Sequence, residues 1–228
     1  MGITFFSPRS HVRNIMYGLM KVLVPFWCKC IYKFEVYGTN NIPPRGPAII
    51  APKHQYWTDI PLIGFAFYNI QLNYVAKQEL FRLPLISNFL IALGGIPLDR
   101  RTPIKSLYSF RHLTTLLRQK EYVVIFPEGT YCRGFVGKGK SRLIKMILKF
   151  QETEKLDQPI PFIPVGVNYK KNGVRKTVSV NIGKPFFAEQ ESEAQSLTNH
   201  LMQQIAHLSN MSFQNTSTKQ KTSLNGCS

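Results

Sequence analysis

The chain has 228 residues, 44% of them hydrophobic, which suits one globular domain with a large core. Twenty-nine Lys and Arg stand against twelve Asp and Glu, a net charge of +17. Such a surface excludes polycationic partners and attracts polyanions: anionic lipid headgroups, nucleic acid or a phosphate-bearing substrate. Four cysteines in a chain of this length do not make a disulfide framework; Cys132 and Cys227 have no evident mates, and a reducing compartment is expected. Cys28 and Cys30 lack a second Cys or His pair at metal spacing, so no metal site is assigned.

Residues 1–33 carry Arg9, Arg13, Lys21, Lys29 and Lys33 and no acidic residue. Lys21, Pro25 and Lys29 interrupt the apolar run from Ile15 to Tyr32, so it falls short of the about 18 apolar residues of a spanning helix. It reads as a basic amphipathic segment lying in a membrane interface, with Trp27 and Tyr32 at headgroup depth. Residues 34–208 read as one α/β domain. Pro47 to Ala51 is a buried strand delivering Lys53 and His54. Trp57 to Tyr68 is a helix with Pro61 in its first turn, and Leu72 to Ala76 a second strand. Glu79 to Leu93 is an apolar helix interrupted by Pro84 and closed by Gly94 and Gly95, before a short strand at Ile96 to Leu98. Thr102-Pro103 opens a helix with Ile104, Leu107, Phe110, Leu113, Leu116 and Leu117 on one face. Tyr122 to Phe126 is a strand, and Ser141 caps a helix to Phe150. Strands follow at Phe162 to Val167 and Thr177 to Ile182, then a helix striped by Leu197, Leu201, Ile205 and Leu208. Residues 209–228 are polar with little to bury and are expected to be a disordered tail.

The chemistry concentrates at strand ends, where open α/β sheets bind ligands. His54 and Asp59 stand in an H-x-x-x-x-D string after the first strand. A histidine backed by a carboxylate acts as a general base on an alcohol, because the carboxylate sets the tautomer and stabilises the imidazolium. Five residues is not a same-face helical spacing, so the pair requires His54 before the helix and Asp59 in its first turn. Phe126-Pro127-Glu128-Gly129-Thr130 follows another strand, and a glycine turn of this kind can present backbone amides to an anion.

These strings occur with two more, Gly94-Gly95-Ile96-Pro97-Leu98-Asp99-Arg100 and Ile163-Pro164-Val165-Gly166-Val167. In this order they resemble the four motif blocks of the glycerolipid acyltransferase family, which acylates lysophosphatidic acid and related lysophospholipids. The resemblance runs from Pro47 to Val167, roughly half of the chain. The chain departs in one detail: Tyr131 and Cys132 stand before Arg133, where the family commonly has arginine directly after E-G-T. The resemblance implies a mixed sheet flanked by helices and His54 and Asp59 as catalytic residues. It implies Arg100 as a phosphate ligand. Glu128, Gly129 and Thr130 would seat the polar head of the acceptor, with Glu128 holding its glycerol or orienting a basic residue. The acceptor is 1-acylglycerol-3-phosphate or another lysolipid. The donor is acyl-CoA or an acyl carrier protein thioester, a co-substrate, so no cofactor is expected. The protein would sit on the cytoplasmic face of an anionic phospholipid membrane, peripheral or monotopic.

Two other readings compete. Gly134 to Ser141 satisfies G-x-x-x-x-G-K-[ST], a nucleotide-binding P-loop string. The first glycine does not follow its strand directly, and no later apolar strand ends in the aspartate a magnesium ion needs. A non-catalytic basic module for membrane or nucleic acid also fits the charge. No nucleic-acid-binding signature is present, and the aromatics lie in apolar runs, so no nucleic-acid partner is expected.

Overall fold

A computed structural model of the chain describes residues 11–99, 103–172 and 175–214. Helix α1 (His11–Ile31) leads into strand β1 (Tyr32–Tyr37), then β2 (Ala48–Pro52), α2 (Asp59–Ala66), β3 (Leu72–Lys77), α3 (Pro84–Ala92) and β4 (Gly95–Leu98). Helix α4 (Pro103–Arg118), β5 (Tyr122–Val124), β6 (Phe135–Val136) and α5 (Ser141–Glu154) follow. The chain continues through β7 (Phe162–Asn172), β8 (Arg175–Ile182), α6 (Ala194–Leu208) and β9 (Ser212–Phe213). Seven strands form one sheet in the order β1-β8-β7-β2-β5-β3-β4. The five from β7 to β4 are parallel; β8 is antiparallel to β7, and β1 pairs parallel with β8. The sheet is therefore single and mixed, flanked by helices, as the sequence predicts.

Strand β2 explains the layering. Its five residues, Ala-Ile-Ile-Ala-Pro, are all buried, the signature of a central strand covered on both faces. Alternate side chains point to opposite sides. Ile49 joins a core with Leu113, Leu116, Ile144, Ile147 and Leu201 from α4, α5 and α6. Ile50 joins another with Leu62 and Ile63 of α2 and Cys28 of α1. The carboxyl ends of β2, β4 and β5 share one edge, and His54, Asp99 and Glu128 lie just past them.

Several elements differ from expectation for identifiable reasons. The apolar stretch after Lys77 is a 3-10 turn (Gln78–Phe81) and a separate helix starting at Pro84. Proline has no N–H to donate and fixes a helical φ, so it begins helices, while the preceding Leu83 stays extended. The α4 stripe is buried at Leu113, Leu116 and Leu117, whereas Leu107 is exposed. Ser141 is the first residue of α5, not its cap; Lys140 holds that position, and the Ser141 hydroxyl bonds the Gln195 side chain at 2.9 Å. Strand β1 starts at Tyr32, inside the segment expected to end at residue 33. Helix α1 is in part core: Cys28 is buried and Trp27 packs inward, 5.8 Å from Tyr32 and 6.2 Å from Trp57 between ring centroids. Residues 209–214 are packed, not a free tail: β9 pairs with β6, and Met211 and Phe213 rest on Val136 and Met202. Cys132 is disulfide-bonded, against the expectation of no bridge. Cys28 and Cys30 are free thiols.

Candidate active site

His54 leaves the end of β2 and Asp59 opens α2. The turn between them brings His54 Nδ1 to 3.2 Å from Asp59 Oδ2. The same Oδ2 accepts the backbone N–H groups of Gln55 at 2.5 Å and Tyr56 at 2.8 Å. Oδ1 accepts the hydroxyl of Tyr169, on β7, at 2.5 Å. A fully buried carboxylate is tolerable when every lone pair has a donor, and the amino end of α2 adds favourable dipole charge. Asp59 is an acceptor toward all of these groups. His54 therefore donates through Nδ1, which leaves Nε2 to take a proton. The His54 side chain is 11% exposed and stacks on Phe126 with centroids 3.9 Å apart, with Tyr131 at 4.3 Å.

Lys53, the residue before His54, is completely buried. Its ammonium donates to Glu128 Oε1 at 2.7 Å, to Oε2 at 2.9 Å and to the Cys132 carbonyl at 2.7 Å. Glu128 also accepts the backbone N–H of His54 at 3.1 Å and of Gly137 at 2.9 Å. Burial pushes Lys53 below the usual lysine range, against the attraction of Glu128. Burial likewise pushes the Glu128 carboxyl up, against Lys53 and the two backbone donors. Glu128 thus contacts a basic residue, as the second of the two roles open to it requires; its side chain is one per cent exposed with both oxygens engaged.

The other expected site residues divide. Gly129 takes a left-handed φ of 69°, which lets the chain turn back toward β6. Its N–H donates to the Phe126 carbonyl at 2.9 Å, so that amide is committed to the turn and not open to an anion. Thr130 is half-buried beside it. Arg100 lies outside the described residues, directly after Asp99. Arg133 stacks over the Tyr56 ring at 4.9 Å, on the rim. Gly166, in the fourth motif block, sits where a Cβ would meet the Leu208 carbonyl carbon at 2.3 Å, so this block lets α6 close on β7. In the P-loop-like string, the N–H groups of Gly137 and Lys140 go to Glu128 and to the Pro127 carbonyl. A phosphate cradle needs such amides free.

Two cavities adjoin the dyad. One, of about 310 Å³, is walled by Leu98, Asp99, Phe126, Gly129, Lys140 and Arg142. The other, of about 370 Å³, runs between α1, α2 and α3 and is apolar, with Tyr17, Trp57, Pro61, Phe65 and Phe89 among its walls. Among the described residues, no three His, Cys, Asp or Glu side chains come together to hold a metal.

Lys53 and Tyr169 were missed by the sequence reading. Lys53 left a signal: a lysine ending a wholly apolar strand demands a buried carboxylate partner. Tyr169 left none, since only the pairing of β7 beside β2 carries it to Asp59. Burial beside the Asp59 charge pushes its phenol far above the usual range, so it stays a donor. Tyr169→Phe removes that donor from a fully buried carboxylate, which costs about 1–3 kcal/mol. The urea unfolding midpoint and kcat both fall. A variant that matches the wild type in both marks Tyr169 as packing alone.

Comparison with known proteins gives a consistent result. The 1-acyl-sn-glycerol-3-phosphate acyltransferase of Bacillus subtilis (strain 168) is 36% identical over 96 residues, 42% of this chain and 47% of that protein. The protein of the same name from Borreliella burgdorferi is 32% identical over 133 residues, 56% of this chain and 51% of its own length. Mitochondrial glycerol-3-phosphate acyltransferase 1 of Sus scrofa is 28% identical over 151 residues, 61% of this chain and 18% of that protein. The chain thus spans about half the length of the curated bacterial relatives it matches. The crystal structure of the 1-acyl-sn-glycerophosphate (LPA) acyltransferase PlsC from Thermotoga maritima superposes with a TM-score of 0.64, covering 86% of this chain and 80% of that one. At 21% identity it shares the fold. The acyltransferase family model matches residues 33–168, more than half of the chain, from the first strand to the residue before Tyr169 and across all four motif blocks. On that match, the chain belongs to the acyltransferase family.

Proposed function

We propose that the protein transfers an acyl group from an acyl thioester, acyl-CoA or acyl carrier protein, to the hydroxyl of a lysophospholipid. The acceptor we assign is 1-acylglycerol-3-phosphate, giving phosphatidic acid. The observation that carries this is the His54–Asp59 pair at 3.2 Å, with Asp59 saturated by three further donors. His54 Nε2 takes the proton of the acceptor hydroxyl as its oxygen attacks the thioester carbonyl. Asp59 holds the ring and stabilises the imidazolium. The tetrahedral oxyanion collapses by expelling the thiolate, which leaves as thiol with the proton from His54. No acyl-enzyme is required: no G-x-S-x-G elbow is present, and Cys132 is not a free thiol.

The family match and the names of the relatives support the reaction class. Two features support a lipid acceptor with a charged head. The apolar cavity is walled by Trp57 and Ile60, the chain neighbours of the Asp59 turn, and suits an acyl chain. The cavity beyond Phe126 has Lys140 and Arg142 in its wall and lies beside Asp99, next in sequence to Arg100. Arg100 and Thr130, with Gly129 setting the turn between Thr130 and Glu128, seat the phosphate in this reading. Residues 1–33 serve as the membrane-facing part and 34–208 as the catalytic part. The protein lies on the cytoplasmic face of a membrane; among the described residues no helix is long and apolar enough to cross one.

The test is a panel of lysophospholipids with radiolabelled acyl-CoA and separation of the product lipids. Phosphatidic acid is the expected major product. Incorporation into another headgroup class reassigns the acceptor, and no incorporation with any acceptor or donor overturns the reading. Arg100→Ala weakens a phosphate-bearing acceptor selectively. A charge-assisted contact contributes about 1.5–3 kcal/mol, so the acceptor KM rises at least about tenfold with the donor KM unchanged. A change in the donor KM alone moves Arg100 to the thioester carrier.

A further inference from the structure

The turn before α3 and its first two turns leave Leu80, Leu83, Leu85, Ile86 and Phe89 open to solvent, with Leu83 at 62% and Leu85 at 86%. Scattered single leucines are ordinary on protein surfaces, whereas five large apolar side chains within ten residues mark a partner. The carboxyl end of α3 is core, with Ile91 and Ala92 buried, so the helix is docked while its outer face stays apolar. Helix α1 packs beside it and exposes Ile15, Leu19, Val22, Leu23 and Phe26. The apolar cavity opens between these two helices, with Tyr17 and Lys21 on one wall and Phe89 and Leu90 on the other. The charge of these two stretches is one-sided. Residues 11–31 and 77–93 hold Arg13, Lys21, Lys29, Lys77 and Arg82 against Glu79 alone.

We infer that the turn and amino end of α3, centred on Leu83, Leu85 and Ile86, form a second membrane-inserting element that works with α1 on an anionic bilayer. Apolar side chains ringed by cations match acyl chains beneath anionic headgroups. One helix resting on a bilayer can roll about its own axis. Two contacts flanking a cavity fix the orientation, and here they turn the cavity mouth toward the lipid layer. A chain entering between α1 and α3 then meets Trp57 and Ile60, which flank the Asp59 turn in sequence. This deepens the acyltransferase reading by naming the surface that meets the membrane; the binding itself is measured without turnover.

The experiment uses the full chain with vesicles of phosphatidylcholine mixed with phosphatidylglycerol. Leu85→Ser/Ile86→Ser lowers the vesicle partition coefficient at least about tenfold, since the two apolar side chains no longer enter the interface. The substituted positions are exposed, so transfer to a short-chain, water-soluble lysolipid stays near wild type, while transfer to a vesicle-borne acceptor falls. Leu85→Trp gains fluorescence that acyl-chain-brominated lipids quench. Undiminished vesicle binding by the serine variant, with no quenching at position 85, overturns the proposal. So does a wild-type dimer in gel filtration that the serine variant dissolves, which assigns the patch to a second copy of the chain. Leu85-dependent vesicle binding by a protein that acylates nothing overturns the catalytic reading and leaves the membrane surface standing.

Discussion

His54→Ala abolishes acyl transfer to every acceptor while vesicle binding and thermal unfolding stay close to wild type. General base catalysis is worth typically about 10²–10⁴-fold, and no second histidine among the described residues shares the Asp59 carboxylate. The ring lies past the end of β2 and takes no part in the strand pairing, so its removal leaves the sheet intact. Asp59→Asn behaves differently. The carboxylate accepts from Gln55, Tyr56, Tyr169 and His54, and an amide nitrogen in that ring of donors faces at least one of them. We expect a large partial loss of kcat together with a lower unfolding midpoint. Turnover within a few-fold of wild type in a purified, folded His54→Ala preparation sinks the general-base mechanism.

Lys53→Met is expected to be the most destabilising single change near the site. It leaves the Glu128 carboxylate buried with no cation, and breaking a buried pair from one side costs about 3–5 kcal/mol. Lys53→Met/Glu128→Gln removes both charges and recovers part of that loss, because no uncompensated charge remains. The pair also sets the His54 backbone: Glu128 Oε2 accepts its N–H, and Lys53 Nζ lies 3.3 Å from its carbonyl oxygen. The double variant therefore refolds with a lower kcat than its stability alone accounts for. Urea unfolding of the four proteins of the cycle, with kcat for each, measures both effects. Additive losses across the cycle show that the two side chains act independently.

The local order was legible where residues act on their immediate neighbours. The apolar run before Lys53 is a strand because nothing in it needs water, and β2 is buried along its full length. Asp59 in the first turn of α2 follows from the His-to-Asp spacing alone. The placement of His54 and Glu128 past parallel strands follows from alternating strand and helix signals; Arg100, expected past a third, lies outside the described residues. The errors also have local causes. Pro84 reads as an interruption but acts as a start, because the residues before it had already left the helix. The polar composition after Ser209 hides Met211 and Phe213, two apolar residues with a place to go.

The sequence by itself determined the fold class, the family and the two members of the dyad, since each is written within a few residues of itself. Tertiary structure decided what those residues do. Lys53 and Glu128 are 75 positions apart and Asp59 and Tyr169 are 110 apart. No periodicity in the chain joins them; the strand order β7-β2-β5 does. That order pairs Glu128 with a buried lysine. The same holds for the outer faces of α1 and α3. One read as a basic amphipathic segment and the other as an apolar helix, and burial or exposure of an apolar side chain depends on what packs against it. Only the folded chain shows that part of each meets the core and that the rest is left exposed among the described residues.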